Sequence, residues 1–383
     1  MSTLQSTPIP VDLNDPINSR ILAVSEDKIQ GFLADPFQEI ALQSGIARPV
    51  VIGRIAAMLR AGTIRRVRQT LMATNLAQGA LVAWQVPEEK LNDAFEYMWQ
   101  KDPFSGHIVI RSTDAAIPGS RYRLWTTLKV PQGYSINRHC EFLAAQTGAT
   151  AYKLLPAKCL FVLGVGHVRR RGMEPGSKSE ELAEVTDTKL VELSELQWRV
   201  LIPLKRELTP QEVEASAQRP LWSGRAAEAG VTLERFHEVA AGLNARGVVG
   251  RFSTFLEHVK PLSTGERVTK FNALFHWAVP AGREIETGRQ IGRFHIMTHA
   301  YWREAGAEFG NVNIMGVAHG TDKTLVLAHK RAMDDHLAQI GIPVSYSNVF
   351  WGGRSEIKPS EISPFAYQEF CRSRGIEPER MRE

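Results

Sequence analysis

IALQSGIARPVVIGRIAAMLRAGTIRRV at residues 40–67 and RAAEAGVTLERFHEVAAGLNARGVVGRF at 225–252 align without a gap. Gly45 falls on Gly230, Gly62 on Gly247 and Arg66 on Arg251, each at an offset of 185. A fixed offset between similar segments marks an internal duplication and governs the fold before any single motif does. Each copy reads as a helix, a turn at the first glycine, a second helix, then a glycine and an apolar-basic strand. Val51, Ile55, Met58 and Leu59 recur at helical spacing in one copy, and Leu233, Phe236, Val239 and Leu243 in the other. Gly62 and Gly247 stand where a helix C-terminus needs a residue free to take positive φ. The pattern is that of a winged helix-turn-helix.

The segments downstream of each copy also repeat. LVAWQVPEEKLNDAFEYMWQKDPFSGHIVIR, RYRLWTTLKV, a helix SINRHCEFLAAQTG and YKLLP come after the first. ALFHWAVPAGREIETGRQIGRFHIMTHAYW, NVNIMGVAHG, a helix DKTLVLAHKRAMDDHLAQIG and VSYSNVFW come after the second. Trp84-Gln85-Val86-Pro87 matches Trp277-Ala278-Val279-Pro280 at an offset of 193. The order β-α-β-β-α-β is the ferredoxin-like plan. The expected fold is therefore α+β, a tandem duplication of a winged helix-turn-helix plus a ferredoxin-like domain. Its divisions are an N-terminal segment 1–34, a first helix-turn-helix 35–72, a first ferredoxin-like domain 76–168 and a linker 169–192. A second helix-turn-helix 193–258, a second ferredoxin-like domain 268–351 and a tail 352–383 complete it. The linker is charged and carries Gly, Pro and Ser, and a further helix is expected near Ser194–Leu208.

At 383 residues, 43% hydrophobic and 23% charged, the chain is long enough for more than one core and has the composition of a folded globular protein. The longest apolar run, CLFVLGVG at 159–166, is strand-sized, far short of the roughly 20 residues that cross a bilayer. The N-terminal stretch has neither a basic flank nor an apolar segment, and Cys140, Cys159 and Cys371 are far apart, so a cytoplasmic protein is expected. A net charge of +5 and a pI near 9.1 suit an anionic partner, yet the basic residues are dispersed and suit a solvated surface as well.

The layout is similar to that of the Lrp/AsnC family, and more specifically resembles the AsnC-like sirohaem decarboxylases of the haem d1 and alternative haem pathways. GTIRRV at 62–67 and GVVGRF at 247–252 resemble the family's Gly-Val-Ile-Arg-Arg-Phe segment, and Glu257-His258 stands where the family has a basic-histidine pair. LVAWQVPEEKL resembles its strand and helix start, and RYRLW at 121–125 its first-half Tyr-Asn-Leu-Trp motif. NVNIMGVAHG resembles its second-half Tyr-Asn-Leu-Phe-x-Met-x-His-Gly. Glu308-Phe309-Gly310-Asn311-Val312-Asn313 departs from the usual Trp-Pro-Tyr-Asn, and RSTDAAIPGSRYRLW lacks Asn-Tyr-Glu-Arg-Glu.

The resemblance implies non-oxidative decarboxylation of sirohaem acetate side chains to 12,18-didecarboxysirohaem, with no cofactor beyond the iron tetrapyrrole substrate. Such an enzyme must grip carboxylates, exclude water and deliver a proton. Arginine pairs with carboxylates in a planar fork, and histidine titrates near neutral pH. His258, Arg251 and His299 are the expected catalytic residues, with His258 as proton donor. His319, Tyr301, Arg303, Arg66, Arg121 and Trp125 are the expected substrate-binding residues, and His299 or His319 the candidate ligand of the tetrapyrrole iron. In a strand His299 and Tyr301 share one face while Ala300 and Trp302 take the other. Each has a plainer reading: strand histidines satisfied locally, His319-Gly320 as a strand end, and Arg65, Arg66, Arg121 and Arg123 as a solvated basic face. His295 and His299 have a zinc spacing only on a helix.

Two rival functions are compatible with the same residues. A winged helix-turn-helix suits a DNA-binding regulator, but the candidate recognition helices begin ARPVVIGRIAAM and VTLERFHEVAAG, the second with Glu234 and Glu238 facing any phosphate backbone. A carrier or sensor of haem or another tetrapyrrole would keep the arginines and dispense with the acid. No membrane partner is expected, and one chain supplies the pseudo-dimer, with further homodimerisation open.

Overall fold

The computed structural model describes residues 9–72, 75–163, 173–187, 190–257 and 269–382. Helices α1 (Pro16–Ser25), α2 (Pro36–Ser44) and α3 (Arg48–Ala61) lead into strand β1 (Ile64–Leu71). Then come β2 (Ala77–Gln85), α4 (Leu91–Gln100), β3 (Ser105–Ser112), β4 (Leu124–Pro131), α5 (Ile136–Thr147), β5 (Ala151–Pro156), β6 (Cys159–Leu163) and β7 (Thr186–Asp187). The order then recurs with α6 (Glu195–Lys205), α7 (Pro210–Ala215), α8 (Ser223–Glu228), α9 (Leu233–Ala245) and β8 (Val249–Leu256). It closes with β9 (Phe271–Ala278), α10 (Glu284–Gly292), β10 (Met297–Trp302), β11 (Ile314–Gly320), α11 (Lys323–Gln339), β12 (Tyr346–Ile357) and α12 (Pro364–Ser373). The expected tandem α+β plan is the one the chain adopts.

The helix-turn-helix elements of both copies make one compact unit and the βαββαβ elements another. In the first unit the paired glycines all take the left-handed conformation that L side chains resist, Gly45 at φ 65°, Gly230 at 67°, Gly62 at 77° and Gly247 at 70°. Strands β1 and β8 pair antiparallel into a ribbon. Arg68 stands opposite Ser253, which is its own counterpart, since 68 plus 185 is 253. The copies also share a core, with Phe37 edge-on to Phe252 at 5.5 Å and Trp222 buried beside them. Ser194 and Gln197 form a reciprocal capping box at the start of α6, the helix expected near Ser194–Leu208. Helix α1 lies within residues expected only as an N-terminal segment and packs on α2; Asp15 caps it and pairs with Arg54 at 3.1 Å.

In the second unit ten strands run in the order β5-β2-β4-β3-β12-β9-β11-β10-β6-β7. Each copy keeps the ferredoxin-like internal order, and the last strand of each crosses to the other. β12 runs past β9 to pair with β3, and β6, just beyond β5, pairs with β10. Helices α4, α5 and α12 bury Phe95, Met98, Leu143 and Tyr367 on one outer face, and α10 and α11 bury Ile291, Met333 and Leu337 on the other. The inner faces meet through Val109, Trp125, Leu155, Leu274, Phe309, Met315 and Phe350. Each such side chain contributes about 1.5–3 kcal/mol on burial.

Two divisions differ from expectation. Within the stretch taken as a linker, β7 pairs with β6, Lys178 bridges to Phe294, and the Ser179 N–H donates to the Arg293 carbonyl at 2.9 Å, so the segment is part of the second unit. The tail is not an appendage either. Its Tyr367 hydroxyl meets His139 Nδ1 at 3.0 Å, and His139 Nε2 meets Asp102 at 3.2 Å, all three fully buried. Serine, proline and charge in these stretches concealed apolar residues at helical spacing, Tyr367, Phe370 and Cys371 among them.

Candidate functional site

Strand β10 has a bulge between Met297 and His299, after which His299, Tyr301 and Arg303 turn to the inner face and Ala300 and Trp302 to the helices. His299 and Tyr301 lie opposite Val317 and Met315, and their rings stack at 6.1 Å and 15°. The Arg303 guanidinium lies over the Tyr301 ring at 4.5 Å and donates from Nη1 to the Leu155 carbonyl, with Arg303 only 8% exposed. Burial raises the Tyr301 phenol, and Arg303 pulls it back in part. His299 Nδ1 meets the Thr298 hydroxyl at 3.1 Å.

A second cation belongs to this group. Lys129 on β4 is driven down to about 8 by burial and by the charge of Arg303. Gly79 pairs with it across β2, and a side chain there would meet the ammonium at 3.1 Å, so the glycine leaves it room. Burial lowers Arg303 to about 10, still well charged at neutral pH. Neither cation has a carboxylate partner among the described residues. A buried and a half-buried positive charge without a counter-ion among the described residues are costly and suit an anionic ligand.

His319 ends the inner face of β11 opposite Asn272 of β9. Asn272 in turn accepts from Arg111 Nη1 at 3.4 Å, and Arg111 is 4% exposed. At the centre, His276 is fully buried against Phe350 at 5.0 Å and Trp125 at 6.2 Å, with neither ring nitrogen hydrogen-bonded. Burial, with Arg111 and Lys330 nearby, drives it to about 3, so it is neutral.

The other expected residues are placed differently. Trp125, expected against substrate, is sealed in the inner core: its ring packs on Phe350 at 5.3 Å and its N–H donates to the Tyr122 carbonyl at 2.6 Å. A side chain sealed in the core where the two halves of the sheet meet has no open face to offer. Arg121 is exposed in the loop before β4, apart from the inner-face group. Arg66 and Arg251 lie in the first unit on one face of the β1–β8 ribbon, with Arg66 Nε 3.2 Å from Glu207 and Arg251 Nε 3.3 Å from the Glu26 carbonyl. Burial lowers both. Arg68 shares that face, its guanidinium 5.4 Å from the Phe255 ring, lowered to about 10 by burial and by the neighbouring arginines. His258 lies outside the described residues. His295 precedes β10, with Nδ1 3.2 Å from the Ser177 hydroxyl, and the helical zinc spacing does not arise.

Helix α3, the first candidate recognition helix, is covered on one side by α7: Arg48 Nη2 donates to the Ser216 carbonyl at 2.7 Å and Arg60 pairs with Glu214. On α9, Arg235 is paired with Glu238 at 2.6 Å, which neutralises the basic side chain a phosphate would need. A cleft of about 400 Å3 elsewhere in the second unit is lined by Gln78, Asn137 and apolar groups and holds no titratable side chain, though Gly79 backs both it and Lys129. No single helix among the described residues is long and apolar enough to cross a membrane.

The fold is a tandem AsnC/Lrp-type α+β plan, and residues 76–161 match the model of a family described as AsnC-like ligand binding domain. The matched span is the first βαββαβ copy together with the start of the strand that crosses to the second. Over 94% of this chain and 97% of the other, the protein is similar to the crystal structure of the siroheme decarboxylase NirDL in co-complex with an iron-uroporphyrin III analogue, at a TM-score of 0.64 and 19% identity. NirDL solved by itself gives the same TM-score and identity over 93% and 96% of the two chains. At that identity the likeness establishes the shared fold. No curated protein matches the sequence.

Sequence reasoning missed Lys129, Arg111, Asn272 and His276. A signal for Arg111 was present: HIVIR at 107–111 and HAYWR at 299–303 repeat at an offset of 192, with Arg111 on Arg303.

Proposed function

We propose that this protein is a decarboxylase of an iron tetrapyrrole, removing acetate carboxyl groups from sirohaem to give 12,18-didecarboxysirohaem. The observation that carries the reading is the pair of buried Arg303 and half-buried Lys129, without a counter-ion among the described residues and beside Tyr301 and His299. Similarity of fold to a siroheme decarboxylase supports it.

Arg303 and Lys129 hold a substrate carboxylate, and Tyr301 and His299 flank the macrocycle. As the bond from the acetate methylene to the carboxyl carbon breaks, carbon dioxide leaves and the electron pair stays on the methylene carbon, delocalised into the ring. One proton delivered to that carbon completes a methyl group, with no oxidant consumed. We assign the proton to His258 and iron contact to His299 or His319. The engagement of α3 by α7 and the Arg235–Glu238 pair favour this reading over a DNA-binding regulator.

The test is anaerobic incubation with sirohaem followed by mass spectrometry, where products lighter by one and two carbon dioxide units are expected. An unchanged mass together with salt-sensitive binding to a defined DNA duplex would favour the regulator. His258→Ala separates enzyme from carrier: it is expected to bind tetrapyrrole with turnover reduced about 100-fold or more.

A further inference from the structure

We infer that the chain holds a second carboxylate-binding seat, built around Arg111 with Asn272 and His319, which the internal duplication makes the counterpart of the seat around Arg303. It deepens the proposed function, on which it rests only for the tetrapyrrole as the larger of its two candidate ligands.

The correspondence is structural at every position. Arg111, next to last in β3, and Arg303, just beyond β10, occupy equivalent places, and each reaches across to a strand of the other copy: Arg111 Nη1 donates to the Phe350 carbonyl on β12, Arg303 Nη1 to the Leu155 carbonyl on β5. Beside Arg303 the cross-strand pair is Gly79 and Lys129; at the matching register beside Arg111 it is Asn272 and His319. Each seat thus draws its arginine from one copy and its cross-strand pair from the other. The two differ in chemistry. One offers two cations, the other a guanidinium, an amide and an imidazole.

Arg111 is poorly satisfied as it stands. It is 4% exposed, its contacts to Asn272 and Phe350 are long at 3.4 to 3.5 Å, and its Nε has no hydrogen-bond partner. No carboxylate is paired with it among the described residues, and burial lowers it to about 9. A purely structural arginine at this depth would be expected to fill its fork with carbonyls at ordinary distance. A fork with its donors stretched or idle matches a ligand carboxylate, which takes two parallel N–H bonds.

The experiment uses the full-length protein and two probes: iron uroporphyrin III, followed by the shift of its main absorption band, and succinate, followed by thermal unfolding against chloride at equal ionic strength. The variant Arg303→Gln keeps the Arg111 seat alone, and Arg303→Gln with Arg111→Gln removes both. We expect succinate to raise the unfolding temperature of Arg303→Gln but not of the double variant. With iron uroporphyrin III, Arg111→Gln is expected either to halve a stoichiometry of two per chain, if each seat takes its own molecule, or to weaken single-molecule binding about tenfold or more, if one molecule reaches both. Arg111→Lys, which keeps the charge and loses the fork, serves if the glutamine variant does not fold, and is expected to weaken binding likewise. The inference is overturned if Arg303→Gln is stabilised no more than the double variant and the Arg111 variants bind iron uroporphyrin III as wild type does. Stabilisation by succinate with no tetrapyrrole binding would keep the seat and sink the decarboxylase reading.

Discussion

His276 shows what a single buried side chain sets for the whole fold. Its imidazole is neutral and held to about 3, against an ordinary 6.5, chiefly by burial. On acidification the unfolded chain takes up a proton at this residue below about 6.5 while the folded chain refuses it until about 3, so stability is lost as pH falls through that window. The limiting slope is about 1.4 kcal/mol per pH unit. His276→Leu removes the titration and two unsatisfied nitrogens, and urea unfolding at pH 6.5 and 5 should find the wild type losing roughly 1–2 kcal/mol more than the variant. Ligand binding is linked to protons in the same way. Lys129 gives up its proton near 8 in the empty protein, so carboxylate affinity at the Arg303 seat is expected to fall as pH rises through that value, and to do so less in Lys129→Met. Affinity titrations at pH 7 and 9 check this; an identical decline in both proteins would remove Lys129 from the seat. At this scale the sequence revealed His299, Tyr301 and Arg303, because period-two alternation on a strand fixes which side chains travel together. Lys129, Asn272 and His276 were hidden because what they face comes from cross-strand register, which no local pattern encodes.

Elements were more legible where backbone conformation demanded a residue type. Gly62 sits at φ 77° with nothing within 4 Å of the position a side chain would take. Gly62→Ala should therefore cost about 1–2 kcal/mol of backbone strain alone, without a clash, measurable by denaturant unfolding. The C-terminal helix was less legible, since its anchor is a buried chain of polar side chains. Tyr367→Phe leaves the His139 ring nitrogen without its partner at 3.0 Å and is expected to destabilise by about 1–3 kcal/mol. Retention of full stability would show the hydroxyl contact to be incidental. The βαββαβ order was readable twice over in the sequence, whereas the exchange of final strands between copies was not, because pairing partners far apart in the chain leave no periodic trace.

For the molecule as a whole, the exchange of strands predicts dependence between halves. Fragments 1–168 and 169–383 expressed together should form a one-to-one complex by light scattering, while either alone aggregates or associates with itself, because each exposes a sheet edge and half of the inner core. Two independent folded monomers would contradict this.

The ribbon in the first unit bears on symmetry. On the rotation axis of a true homodimer a residue must face its own copy, so an arginine there would confront an arginine and repel it. In this chain the equivalent positions have parted, and Arg68 faces the small hydroxyl of Ser253. Joining two copies into one polypeptide has thus released the axis from self-complementarity and allowed a single arginine, in place of a facing pair, to stand on it. The same release allows lysine and histidine to hold matching places on the inner sheet, so that one duplicated scaffold presents two chemically different faces.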